Sequence, residues 1–413
     1  MRVVHIGAST EGGAGIAMLR LHEAMIGLGI ESSILTMFKS NGAEIYHNGF
    51  GKIRNNRFQI DFPVYFRYAY HPALNRLKLF GRRHAPEMFS SPYSLLRPEE
   101  NGLVRNADIV NLHWVSHFIN WENFFDHIDR PVVWTMHDMN PFTGGCHHSF
   151  DCNGYKSDCY NCPQTKGNFF KYYAAENLTK KVEKMQNRDL VHIVSPSNWL
   201  GERAKESKAF ADLPISSINN TVGDDWNHID KSGARKELGL PQDKKILLFV
   251  AQDISKEFKG FGRLREAVNS INRSDIMLLT MGYINSLTGI DCDNYNLRFV
   301  NNKRNLNLAF AAADALIHPS IAENFPNIIL EAFASGTPVI ANNIGGIPEM
   351  IDHGENGLLT ESTSAESLRK SILDFIDQGV RKSAMEISQD AFTKYNPDKI
   401  AAKYSELYSE MLR

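Results

Sequence analysis

Two carboxylates, Glu323 and Glu331, stand eight residues apart where an apolar strand gives way to a short helix. The strand covers residues 315–318. A loop follows, with Pro326 suited to a first helical turn and Gly336 to a C-terminal cap. This order delivers Glu323 and the amides of a helix start to one spot beyond a strand's carboxyl end, and such amides attract anions. Glu331 falls among Ile328, Ile329, Leu330, Ala332 and Phe333. A carboxylate wedged there is costly unless hydrogen-bonded, and the vicinal hydroxyls of a ribose would satisfy it. A place on the wet face of the helix is equally compatible with the helical angle. Lys259 ends another post-strand loop, where an ammonium is well placed to meet a diphosphate. A third strand–loop–helix turn, 341–349, carries Gly345, Gly346 and Pro348.

A glycine loop, Glu11-Gly12-Gly13-Ala14-Gly15, follows the first strand. Glycines there let the backbone approach a ligand, or simply let strand and helix pack tightly. The nicotinamide-dinucleotide fingerprint does not fit. Counted from Gly13 and Gly15, its third glycine would fall at Met18, and Phe38 leads into Lys39 and Ser40 with no acid. Four of the five cysteines, Cys146, Cys152, Cys159 and Cys162, fall within seventeen residues. Four thiolates, or three with His147 or His148, suit a closed tetrahedral zinc site that would staple a loop without catalysing; disulfides and free thiols are the alternatives. A reducing compartment favours metal over disulfides. Cys292 stands apart and reads as inert.

The elements that must hold these residues follow one grammar. A strand at 3–7, a helix at 16–27 and a strand at 33–38 open the chain; strands at 109–112, 132–136 and 192–195 continue it, and Ser197 lies in a cap before a helix through Lys208. After a polar hinge, 219–225, strands recur at 246–250, 276–281, 297–300, 315–318 and 338–341. Strands alternating with helices predict two doubly wound, Rossmann-like α/β domains facing a cleft, with ligands beyond the carboxyl ends of the strands. We place the first domain at 1–222 and the second at 223–396. A helix at 397–413, with Ile400, Tyr404, Leu407 and Met411 as its packing stripe, is expected to dock back across the hinge.

A length of 413 residues suits two such domains. With 43% hydrophobic and 22% charged residues, disordered, collagenous and coiled-coil chains are excluded. A net charge of −2 argues against nucleic acid as a partner. No apolar run approaches the roughly 20 residues of a membrane-spanning helix, and the amino terminus carries no secretory h-region, so a cytoplasmic location is expected. Residues 52–83 stand out, with eight basic residues against the single Asp61 and seven aromatics interleaved. That mixture suits an anionic membrane surface or a phosphorylated lipid; an insertion with a solvated basic face is the plainer alternative.

Together these features resemble the retaining glycosyltransferases of the GT-B architecture, in the large family four that uses nucleotide-sugar donors. The element from Glu323 to Glu331, followed by Ala332-Phe333-Ala334-Ser335-Gly336-Thr337-Pro338, carries the resemblance most specifically. Gly12 to Gly15, the hinge and the terminal helix extend it over nearly the whole chain. The stretch from His137-Asp138 to Cys162-Pro163-Gln164 is similar to the branch that builds bacterial exopolysaccharides of the colanic-acid type. The resemblance implies that Glu331 holds the ribose hydroxyls and Glu323 binds hydroxyls of the transferred sugar. Amides at Phe325, Asn327 and Ile328 would line sugar and phosphates, and Lys259 would neutralise the departing diphosphate. Gly13 and Ala14 would close over it, with His137 beside the donor sugar. His113, Trp114 and His117 then edge the acceptor site or fill buried structural roles.

Many members pair the lysine with an arginine after the preceding strand. This chain has Ala251-Gln252-Asp253 there, leaving Lys256 or Arg263 as substitutes. The resemblance implies no catalytic metal, a nucleotide-sugar donor and a saccharide acceptor; the basic and aromatic stretch 52–83 prompts the expectation that this acceptor is lipid-diphosphate-linked at the inner membrane face. Two other readings stand beside it. A nucleotide-sugar epimerase would turn over the donor without an acceptor. A non-catalytic protein recruiting a partner through its metal loop is disfavoured by the joint presence of Glu323, Glu331 and Lys259.

Overall fold

A computed structural model describes the chain except residues 38–44, 48–50, 55–56, 61, 81–87, 166–168, 187, 224–225, 227–228, 284–287 and 299–302; for 45–47, 51–54, 57–60 and 62–68 it describes the backbone alone. Contacts divide the chain into two units, Met1–Asn219 with Asp398–Arg413, and Asn220–Pro397.

In the first unit, strands β1 (Arg2–Gly7), β2 (Glu31–Thr36) and β3 (Ile45–His47) lead to a hairpin of β4 (Gly51–Arg54) and β5 (Arg57–Ile60). β6 (Ile109–Leu112), β7 (Val132–Thr135), β8 (Val191–Ser195) and β9 (Ile215–Ser217) follow. Seven of these form one parallel sheet in the order β3-β2-β1-β6-β7-β8-β9. Helices cover both faces, which is why β6 and β7 are buried at every residue and are mostly apolar, with Asn111 and Thr135 the polar exceptions. The order reverses between β1 and β6, and a reversal of this kind opens a crevice at the strands' carboxyl ends.

The helix Pro397–Met411 belongs with this unit. Its Ile400, Ala401, Tyr404, Leu407 and Tyr408 share a core with Val3, Ile109, Val133 and Val194. Asn111 donates to Tyr408 Oη at 2.7 Å, and Tyr404 Oη lies 3.1 Å from Thr135 Oγ1. The sequence stripe ended on Met411, which is only partly buried; Tyr408 takes the buried place because its hydroxyl satisfies a polar residue inside the sheet.

The second unit holds β10 (Lys245–Asp253), β11 (Ile276–Tyr283), β12 (Asp293–Asn296), β13 (Ala315–His318), β14 (Val339–Asn342) and β15 (Gly357–Thr360), parallel throughout in the order β12-β11-β10-β13-β14-β15. Here the reversal falls between β10 and β13. The strand expected at 297–300 lies earlier, on the polar run Asp293–Asn296 that pairs with Met277 to Thr280. An edge strand pairs on one side and can stay wet, so its apolar signal is weak; residues 299–300 are outside the described set. Outside it too are Phe38 to Ser40, Arg82 and Arg83, with most side chains of the basic and aromatic stretch. No helix among the described residues is long and apolar enough to cross a membrane.

Candidate functional site

In the second unit the two strands flanking the reversal end on the pair singled out by sequence. β10 runs into a loop closed by a short 3₁₀ turn, Glu257–Lys259; β13 runs into the loop that carries Glu323. Lys259 Nζ donates to Glu323 Oε1 at 2.6 Å, and His318 Nε2 lies 3.3 Å from the same oxygen. The Glu323 side chain is only 13% exposed. Burial by itself would raise its pKa, but the Lys259 ammonium and His318 outweigh it and hold the carboxyl well below the usual carboxylate range.

The loop is held from both sides. Ile321 N and Ser320 Oγ donate to Phe258 O at 2.9 and 3.1 Å. From the end of β14, Asn342 Nδ2 donates to Pro319 O and Ser320 O, both at 3.0 Å, and Thr360 Oγ1 of β15 fixes that amide at 2.9 Å. Two glycines make the close approach. A Cβ on Gly260 (φ +81°) would lie 2.1 Å from Pro319 O, and one on Gly345 (φ +56°) 1.9 Å from Glu323 O.

The helix Asn327–Ala334 starts at Pro326, which is its cap residue and not, as the sequence suggested, part of its first turn; no side-chain cap occupies its amides among the described residues. Ile329 N turns back to Pro326 O at 3.1 Å, while the amides of Asn327 and Ile328 belong to the uncapped start. Asn220 Nδ2 reaches Phe325 O and Asn327 Oδ1 at 3.2 Å each. The Phe325 ring is in the core, edge-on to Tyr395, so its main chain alone is left to serve a ligand. Glu331 is 6% exposed, which removes the wet-face alternative. Gln252 and Lys256 are exposed, and Arg263 is half-buried on the helix Phe261–Asn269.

In the first unit, the helix Gly12–Gly27 starts four residues earlier than expected, so Gly13 and Ala14 sit in its first turn. Gly15 is required there, since a Cβ would lie 2.4 Å from the Thr10 carbonyl carbon. His137, two residues past β7, is half-buried; its Nε2 lies 3.0 Å from Nδ1 of His113, directly past β6. His113 Nε2 lies 3.0 Å from Nδ1 of His5 within β1. Burial pushes the His5 imidazole down to about 3 and that of His137 to about 4, and holds His113 well below its ordinary value. His5, His318, Asn220 and Asn342 were not singled out from sequence. The available signal was a polar residue inside or ending an otherwise apolar strand, as in β1, β13 and β14.

Both ring nitrogens of His147 meet protein partners. Its Nδ1 pairs with Asp138 Oδ2 at 2.6 Å and its Nε2 bonds Ser90 Oγ at 3.0 Å. The His148 ring lies against Phe150, with centroids 6.4 Å apart. All five cysteines are free thiols. Cys146, Cys152, Cys159 and Cys162 line one pocket together with Phe89 and Tyr155. Among the described residues no group of three or more His, Cys, Asp or Glu is arranged to hold a metal ion.

Residues 230–394 match the family model of glycosyl transferases group 1. Over 414 aligned residues, covering 97% of each chain, the protein is 23% identical to the putative colanic acid biosynthesis glycosyl transferase WcaC of Escherichia coli K12. It is 27% identical over 214 residues, about half of each chain, to the putative teichuronic acid biosynthesis glycosyltransferase TuaC of Bacillus subtilis. Among solved structures, the sucrose-phosphate synthase of Thermosynechococcus elongatus superposes with a TM-score of 0.68 at 16% identity, covering 100% and 99% of the two chains. The HepE protein of Anabaena, solved with UDP and glucose, superposes with a TM-score of 0.65 at 15% identity, covering 99% of each. With the two parallel sheets, these likenesses make the chain a glycosyltransferase of the GT-B fold, the match to glycosyl transferases group 1 falling within its carboxy-terminal unit.

Proposed function

We propose that the protein is a retaining glycosyltransferase that moves a sugar from a nucleoside-diphosphate sugar to a saccharide acceptor during surface-polysaccharide synthesis. The observation that carries this reading is the Lys259–Glu323 pair at the strand reversal of the second unit, beside an uncapped helix start. The similarity to WcaC supports the polysaccharide assignment, and the UDP and glucose in HepE support a nucleotide-sugar donor.

The chemistry follows from charge. As the bond between the anomeric carbon and the diphosphate breaks, its electron pair goes to the phosphate oxygen. Lys259, with N–H bonds to spare beyond Glu323, and the amides of Asn327 and Ile328 stabilise that charge. The acceptor hydroxyl bonds to the anomeric carbon from the same face, and its proton passes to the departing phosphate. Glu323, ionised and hydrogen-bonded to Lys259, is a weak nucleophile and serves as acceptor for sugar hydroxyls; Glu331 takes the ribose. The family resemblance assigns Gly13, Ala14 and His137 to the donor as well. Cation and amides supply the positive charge, so no divalent ion is required. The acceptor is lipid-diphosphate-linked, met at an anionic membrane by the stretch 52–83; the exposed Arg76, Leu77 and Phe80 support this.

Calorimetric titration of UDP, GDP and ADP into the wild type and Glu331→Ala tests the donor site. One nucleotide should bind, at least about tenfold weaker in the variant, and its sugar should then be transferred at the same rate in EDTA. Binding unaffected by the substitution would overturn the role of Glu331; turnover of the donor to an epimer without acceptor would favour an epimerase. Co-sedimentation with liposomes that ignores anionic lipid would remove the membrane assignment.

A further inference from the structure

Four thiols of the first unit border one hollow. Cys146, Cys152, Cys159 and Cys162 line a cavity of about 10 Å³, the room of a single atom-sized guest. Phe89, Tyr155 and Ala174 belong to the same wall, which shows no polar surface. A water there would lack the roughly two to four polar partners that hold one in a protein interior. A soft cation is a different guest, because sulfur bonds it directly. Neither His147 nor His148 lines the hollow.

The backbone turns tightly around two of these sulfurs. Gly154 N donates to Cys152 Sγ at 3.4 Å, and a Cβ on Gly154 would lie 3.5 Å from that sulfur and 3.7 Å from Cys159 Sγ. Cys159 is held at φ +53°, a left-handed conformation that a non-glycine residue keeps only where its surroundings impose it. Its amide donates to Gly154 O at 3.0 Å and fixes the turn.

A buried ammonium is the second observation. Lys181, on the helix Tyr173–Met185, is 0% exposed. Its Nζ donates to two carbonyls, Asn140 O and Thr143 O, the latter at 3.0 Å, and lies 5.2 Å from the centre of the Trp121 ring. Carbonyls and a ring face offset a buried charge only in part; an opposite charge is what such a site calls for. The groups whose negative charge bears on Lys181 are Cys146, Cys159 and Asp138, in that order, and Asp138 already pairs with His147. As thiols the two cysteines offset nothing. As thiolates they do.

We propose that Cys146, Cys152, Cys159 and Cys162 hold one zinc ion as four thiolates, with the Lys181 ammonium as counter-charge, in a structural centre that closes the loop between β7 and the helix Tyr173–Met185. As they stand the four sulfurs are not gathered into a coordination shell. All four already border one hollow, so closing on an ion takes side-chain rotation and no change of fold. Binding exchanges four S–H protons for one divalent ion and leaves two negative charges on the cluster, one of which Lys181 neutralises. With four protein ligands no position is open to substrate, so the ion takes no part in sugar transfer.

Metal analysis of the full-length protein tests this. Expressed with added zinc and purified under a thiol reductant without chelator, it should carry about one zinc per chain. A closed thiolate shell shields its ion from EDTA over an assay, so a mercurial is used to release the zinc. Cobalt in its place should give the intense d–d bands and sulfur-to-metal charge transfer of a tetrahedral thiolate site. Cys292→Ser should keep the zinc, and Cys152→Ser and Cys162→Ser should lose it. If those two variants do not fold by circular dichroism, the cobalt spectrum of the wild type decides alone. Folded, reduced wild type that holds no zinc and takes up no cobalt would overturn the proposal, as would zinc retained by a folded Cys152→Ser. So would fewer than five thiols titrated in denaturant with EDTA on protein purified without reductant, since the missing ones would be disulfides. Lys181→Met, once shown to fold, should bind zinc about tenfold more weakly against a competing chelator; equal affinity would overturn the counter-charge.

Discussion

The ammonium of Lys259 serves Glu323 before any ligand arrives. Glu323 is nearly out of water, and Lys259 and His318 both meet one of its oxygens. Because its pKa is held below the ordinary value, the pair stabilises the fold above about pH 4.5 and the contribution is lost as pH falls through the folded pKa. Lys259→Met should leave burial dominant, raise the carboxyl's pKa above the ordinary value and cost about 1–3 kcal/mol at pH 7, less than a fully buried pair because the lysine side chain is 28% exposed. The deficit should shrink between pH 7 and pH 5, where a protonated carboxyl needs no ammonium. Urea unfolding at both pH values measures this; an equal deficit at the two would mean that the pair is not coupled. Glu323→Gln in the Lys259→Met background should recover most of the loss, since the amide carries no charge to desolvate.

At the scale of elements, the Glu323 loop owes its place to two glycines that the sequence displayed without saying what they touch. Gly260 follows Lys259 and abuts Pro319 O; Gly345, from the loop after the next strand, β14, abuts Glu323 O. Gly260→Ala and Gly345→Ala should each destabilise by about 1–3 kcal/mol through overpacking and an unfavourable φ, and should weaken nucleotide binding as well. Gly262→Ala, in the first turn of the helix that Gly260 caps and with nothing within 4 Å of its added methyl, should be neutral or stabilising by about 0.5–1 kcal/mol. Thermal melts of the three variants decide it, and a uniform loss would show that the glycines matter as chain breakers and not as contacts. The same scale explains what was legible. Strand–loop–helix punctuation located the Lys259 and Glu323 loops because apolar runs, glycine and proline are local signals. The His5–His113–His137 file was not legible, because β1 and β6 become neighbours only in the folded sheet. The four cysteines, near one another in sequence, line one pocket because a short loop keeps its own residues together.

Across the whole molecule, the two units differ in how acid reaches them. The first unit buries neutral imidazoles: His5 is pushed down to about 3, His117 and His137 to about 4, and His113 well below its ordinary value, in each case first by burial. For such a base the unfolded chain takes up the proton first, so stability is lost as pH falls below the unfolded value near 6.5 and the loss continues to the folded pKa. Each proton costs about 1.4 kcal/mol per pH unit, so four cost about 5 kcal/mol per unit once the unfolded chain has bound them all. A domain stability of about 5–15 kcal/mol cannot survive long on that slope, which places unfolding of the first unit near pH 5. In the second unit carboxyls at the strand ends, among them Glu323, Asp314 and Asp253, are lowered, and their contribution persists until pH drops through the ordinary carboxylate range. Hydrogen exchange followed at pH 7, 5.5 and 4.8 should therefore show β1, β6 and β7 losing protection while β10 and β13 keep theirs. Tryptophan emission should shift to the red over the same interval, because Trp114, Trp121, Trp134 and Trp199 lie in the first unit and only Trp226 in the second. Simultaneous loss of protection in both sheets, confined to pH below 4, would mean that carboxylates alone govern acid stability and that the imidazole file contributes no proton deficit to the folded state.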